Sequence, residues 1–214
     1  MWYTALAPLA AAPNALHPIG RDPNAVGICG DVVVHANAAI TDALADDRTL
    51  ERLIERLRAT DFEEASVNER NGLADVRRLS ADLSETSARA ASEVQRLRGY
   101  AARIDEDRQR AELSVFADAL GSAIDRQHKM AIDLGPFLSL MAYREIKGDQ
   151  SLPDAYATPL DMGRMASGLA ADERNGSPNT KARTTASDFD ARLADVRHDE
   201  LHAADLSEAA VGGC

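Results

Sequence analysis

Two histidines one helical turn apart raise the first question of chemistry. They lie in His198-Asp199-Glu200-Leu201-His202, where side chains four residues apart share a helix face and can chelate a divalent cation. The zinc-protease pattern requires Glu directly after the first His, but here Asp199 occupies that place and Glu200 follows. The shift turns the carboxylate about 100° around the helix, away from where a general base must stand. A third ligand would have to come from Asp195 or Asp205. A solvated polar helix face is therefore the expectation, with a metal site at His198 and His202 as the alternative.

Other chemistry-bearing patterns stay at background level. His17, His35 and His128 are isolated and read as hydrogen-bonded or exposed structural residues. No glycine-rich phosphate loop and no G-x-S-x-G elbow occurs in the sequence. Ferritin-like carboxylate sites need Glu-x-x-His on paired core faces, and no such pair exists. Gly121-Ser122 reads as a close-packing position, and Asn175-Gly176-Ser177 as a chance sequon. These residues define no catalytic site and call for no cofactor.

The elements that would carry any site follow from composition. The chain has 214 residues, of which 45% are hydrophobic, 4% aromatic and 28% charged, with a net charge of -11. A core poor in aromatic residues and rich in Ala, Leu, Val and Ile suits packed helices better than sheets. The acidic balance excludes an overall basic nucleic-acid footprint. No run approaches the roughly 20 apolar residues of a membrane span. Two cysteines exclude a disulfide-dense miniature fold.

Three regions follow along the chain. Residues 1–30 form an apolar arm rich in proline and alanine. Its stretch TALAPLAAAPNAL resembles the second half of a secretory signal without the basic n-region, so export with loss of this arm is the expectation, and a docked or disordered arm the alternative. Cys29 and Cys214 read as unrelated thiols, although a disulfide between them would tie the tail to the body.

Residues 31–147 carry the helical body. Val33, Ala36, Ile40 and Ala43 share a stripe that Leu50, Leu53, Ile54 and Leu57 continue, with Thr49 as a cap if the helix breaks. TDFEEASVNERN and Asn71-Gly72 read as the first connection. Val76, Leu83, Ala90, Leu97 and Ile104 are spaced at seven and predict a coiled-coil-like seam. A turn near 105–107, capped by Asp107, precedes the stripe of Leu113, Phe116, Leu120, Ile124, Ala131, Leu134, Leu138 and Met141. Gly135-Pro136 predicts a kink, and Lys147-Gly148 an end. The fold class is thus all-α, an antiparallel three- or four-helix bundle.

Residues 148–214 read as an irregular tail, with a flexible linker at 174–186 and a weak helix at 187–206 holding Phe189, Leu193 and Val196. Truncation after Asp172 should then leave the bundle intact. The resulting functional expectation is a non-enzymatic, exported bundle acting as an interaction, spacer or structural module. Its partner would be another protein or a second copy, met through the helical faces. A metal- or small-ligand-binding domain, using His198 and His202 or an inter-helix pocket, is the alternative.

Overall fold

The computed structural model describes residues 15–20, 27–63, 66–148 and 177–212. The signal-like stretch up to residue 14, most of the irregular segment after Gly148, Asn175 of the sequon, and Cys214 lie outside the described residues. Among the described residues there are five α-helices and no strand. They are α1 (Ile28–Ala59), α2 (Val67–Ala101), α3 (Asp107–Asp133), α4 (Gly135–Gly148) and α5 (Pro178–Gly212). Four long helices form the bundle, and α4 continues α3 past a break.

Ion pairs between neighbouring helices give the topology directly. Arg89 of α2 grips Asp42 of α1 with two bonds of 2.7 Å, while Arg56 near the end of α1 meets Asp75 near the start of α2. Arg98 of α2 meets Asp118 of α3, and Arg77 meets Glu145 of α4. Asp133 of α3 takes Arg192 of α5, and Arg126 takes Asp199. Arg58 and Glu51 of α1 pair with Asp190 and Arg197 of α5. In every pair the numbers run in opposite senses, so each helix is antiparallel to both of its neighbours. The chain goes up, down, up, down around a closed ring.

Local sequence explains most boundaries. Helix α1 runs unbroken through ADDRT, because Thr49 does not cap a second helix: its hydroxyl donates to the Ala45 carbonyl one turn back, at 3.0 Å. Helix α2 begins earlier than Asn71-Gly72 suggests. The Ser66 hydroxyl accepts from the Glu69 N–H at 3.1 Å, the N-cap half of a Ser-x-x-Glu capping box. Gly72 therefore sits inside the helix, where a Cβ would collide with the Thr60 side chain that folds over it. The hairpin between α2 and α3 stands where it was expected, with Glu106 rather than Asp107 at the cap position. Gly135-Pro136 does interrupt the helix, separating α3 from α4. Gly121 is a close-packing position as read: a Cβ there would lie 3.2 Å from Val94 Cγ1.

The largest difference lies in α5. Residues 178–186, expected as linker, are helical, and Ala182 and Ala186 are fully buried. Ser177 caps the helix by accepting from the Thr180 N–H at 3.3 Å, and Pro178 fills the first helical position. Asn179 fastens this start to the α1–α2 connection by accepting from the Phe62 N–H at 2.7 Å and donating to Asp61 at 2.7 Å. Phe62 itself is buried edge-on against Phe137. The last helix is a full wall of the bundle.

The expected stripes face the interior. Leu73, Val76, Leu83, Ala90, Val94, Leu97 and Ala101 of α2 are buried, and Ile104 is half-buried beyond the helix end. Leu113, Phe116, Leu120, Ile124, Leu134 and Met141 are buried on α3 and α4. Among the described residues α1 is long and apolar enough to cross a membrane by length and composition. Here its apolar side is spent on α2 and α5, with Val33, Ala36, Ile40, Leu50, Leu53 and Leu57 buried. Residues 15–20 of the N-terminal arm are docked: Leu16 is buried, and Asn37 brackets Ile19 by accepting from its N–H at 2.6 Å and donating to its carbonyl at 2.9 Å.

Candidate functional site

The buried positions of each long helix advance in alternating steps of three and four, the spacing that keeps one edge facing a neighbour. On α5 they run Ala182, Ala186, Phe189, Leu193, Val196, Glu200, Ala203, Ser207 and Ala210. On α1 the same rhythm runs Ala39, Ala43, Asp46, Leu50, Leu53 and Leu57. On α3 it includes Leu120, Ala123, Gln127 and Met130, continued by Leu134 just past its end, and on α2 Leu83, Ser87, Ala90 and Val94. Each helix thus carries a polar residue on its inward edge: Asp46, Ser87, Gln127 and Glu200. Gln127 and Glu200 meet beside Asp47, with Asp46 adjoining Asp47 on α1 and Ser87 facing His128 next to Gln127. One apolar cluster, built around Leu53, Leu83, Met130 and Phe189, lies on one side of them, and another, around Ile40, Leu97, Phe116 and Leu120, on the other.

Gln127 is the hub of this layer. It is 0% exposed, and its side-chain N–H group donates to the Ala43 carbonyl at 3.0 Å and to Asp47 Oδ1 at 2.9 Å. It also lies 3.4 Å from Glu200 Oε1. The Asp47 and Glu200 carboxyl groups share a hydrogen bond. Arg197 is the cation nearest Asp47, with Nε 3.9 Å from Oδ2 and half of its side chain in solvent. On the α2 side, Ser87 contacts His128 Nδ1 at 2.9 Å and donates to the Ser84 carbonyl at 3.3 Å.

Two acceptor atoms in this layer have no partner: Gln127 Oε1 and Asp46 Oδ2. An orphaned buried acceptor costs about 1–3 kcal/mol when nothing relieves it. For Asp46, protonation removes the buried charge. Burial foremost, then the charges of Asp42 and Asp47, pushes its carboxyl up to about 8, against a weaker opposing pull from Arg89. Burial also raises Asp47, although its bonds from Gln127 and Glu200 oppose the rise. Glu200 is raised by burial, by the Asp47 charge and by the bond they share, so the pair holds one proton between them.

Such a pair can hold one proton between two oxygens and exchange it near neutral pH. The grooves on the surface are open and lined by charge. One beside α3, about 530 Å³, is edged by Arg98, Ser122, Arg126, Lys129 and Arg192, and several of these already pair with Asp118, Asp199 and Asp133.

His198 and His202 stand one turn apart on α5, both exposed. Of the residues between them, Asp199 turns to Ser122 and Arg126 at 2.9 and 2.7 Å, and Glu200 turns inward. Asp195 and Asp205 are exposed. Among the described residues no three His, Cys, Asp or Glu side chains gather closely enough to hold a metal ion. His35 bonds Glu93 at 2.5 Å and stacks on Tyr100, and His17 contacts the Ala15 carbonyl, so both have structural partners.

Cys29 is disulfide-bonded, not a free thiol as expected, and Cys214 is the only other cysteine in the sequence. The polar layer itself was missed in the sequence, since Asp46, Gln127 and Glu200 look like breaks in apolar stripes. The signal available was their register, three or four residues from flanking core positions on both sides. No family model, no curated protein and no solved structure matches this chain.

Proposed function

We propose that this chain is a non-enzymatic helical-bundle module, exported to the periplasm or beyond the cell, that works by presenting its outer faces to a protein partner or a second copy. The observation that carries this reading is the closed bundle itself. Most of the large apolar side chains among its described residues face the interior, and ion pairs link adjacent helices across its exterior. A scaffold of this kind offers shape and charge pattern, though other chemistries also use helical bundles. The disulfide at Cys29 supports the exported setting, because such bonds persist in oxidising compartments.

Photo-crosslinking in the native host tests the reading. The crosslinker is placed singly at Val34, Val115, Ile132 and Leu201, large apolar residues exposed on three helices. A discrete adduct from at least one face, in a cell fraction where Cys29 resists alkylation, is the expected result. A chain that forms no adduct from any face and carries a reactive Cys29 in the cytoplasm overturns it.

A further inference from the structure

We propose that the layer of Asp46, Asp47, Gln127 and Glu200 is a proton-operated latch that sets how firmly α5 docks against α1 and α3. The latch goes beyond the surface role above and stands or falls separately from it. Its first support is position. Glu200 occupies an inward step of α5 between Val196 and Ala203, both fully buried, so while α5 stays docked its carboxyl cannot turn to water.

The second support is the local charge. From α1 come Asp42, Asp46, Asp47 and Glu51. From α5 come Arg197, Asp199 and Glu200. From α2 come Glu85 and Arg89, with Arg89 already held by Asp42. From α3 come Arg126, held by Asp199, His128, turned to Ser87, and the uncharged Gln127. Among the described residues the cation beside the Asp47–Glu200 pair is Arg197, which it shares with Glu51. Carboxylates outnumber the cations able to answer them, and two carboxyl groups in contact cannot both ionise without strong repulsion.

The third support is the pair of unpartnered acceptors, Gln127 Oε1 and Asp46 Oδ2, both buried in the layer. An aspartic acid that keeps its proton leaves one fewer bare charge in this space. The folded layer therefore holds protons that the undocked, solvated carboxyl groups release, and lower pH favours docking. Helix α5 is the element to yield. Four of its nine inward positions are alanine and two are polar, with Phe189, Leu193 and Val196 as its larger apolar anchors.

The test uses the full chain with its disulfide intact, at matched salt. Thermal unfolding of the wild type should show Tm falling by about 5–10 °C between about pH 5.5 and about pH 8.5. Glu200→Gln, whose amide can still donate to Asp47 but cannot ionise, should lose at least half of that fall. His17, His35 and His128 remain in this variant, so their titration cannot account for the loss. Hydrogen exchange, corrected for intrinsic rates, should show α5 losing about tenfold more protection than α2 over the same range. A wild-type Tm that is flat or rising with pH overturns the proposal, as does a variant keeping the wild-type slope, or equal loss in α2 and α5. Should Glu200→Gln fail to fold, infrared spectroscopy of the wild type near neutral pH decides. A carbonyl band from a buried protonated carboxyl group is expected, and its absence overturns the latch.

Discussion

Leu97 and His202 show how differently two residues from strong patterns behave. Leu97 is fully buried in the cluster around Ile40, Phe116 and Leu120, and Leu97→Ala should cost about 2–4 kcal/mol by denaturant unfolding. A loss under about half a kcal/mol would mean the layer collapses around the gap or the side chain packs poorly. His202 sits in the most chemically suggestive run of the sequence, yet its imidazole is exposed beside an equally exposed His198. Two ligands on an open face hold a cation weakly. Metal analysis of the purified chain should therefore give far less than one equivalent, unchanged by His202→Ala; a stoichiometric ion lost in the variant would restore the metal-binding alternative. The informative residue of that run is Glu200, which the i,i+4 histidine pattern hides.

At the scale of elements, legibility tracked side-chain size. The seams of α2 and α3 could be read because Val, Leu, Ile and Phe recur at fixed spacing, and the turn between them because that spacing loses phase. Helix α5 could not be read in the same way. Five of its inward positions are Ala182, Ala186, Ala203, Ser207 and Ala210, and a sixth is Glu200, so the pattern carries little hydrophobic contrast. Its start was written in Ser177-Pro178, a cap followed by a first-turn proline, which compositional bias toward polar residues obscured. The burial of α5 against both α1 and α3 reverses the expectation of a dispensable tail. Truncation after Asp172 should lower Tm by about 10 °C or more, since it exposes the inward edges of two helices at once. A shift of only a few degrees would show that α1, α2 and α3 form a self-sufficient core.

For the whole molecule, acidity and fold are linked through a few buried groups more than through the net charge of -11. A group whose carboxyl rises to about 8 on folding, as Asp46 does, binds a proton in the folded chain that the unfolded chain releases above about pH 4. Its stabilising effect is complete at or below that lower value and fades as pH climbs to about 8. Each such group can tilt stability by up to about 1.4 kcal/mol per pH unit within the window. The bundle should therefore be most robust in mildly acid solution, which denaturant titrations at several pH values will show as a midpoint drifting downward toward alkaline pH. A midpoint that moves upward would assign the dominant titration to other groups.

The polar layer also answers a question of assembly. Four antiparallel helices with alanine-rich edges could slide past one another by seven residues and still bury apolar surface. Such a slip would carry Glu200 into the place now held by Leu193 or by Ser207, out of reach of Gln127 and Asp47. A carboxyl group stranded there would lose these partners and face hydrocarbon, at a cost of several kcal/mol. The hub at Gln127 thus acts as a notch that admits a single alignment of α1, α3 and α5. Replacing Asp46, Gln127 and Glu200 together with Leu would give a chain that melts higher but resolves into several coexisting alignments, visible as multiplied amide resonances.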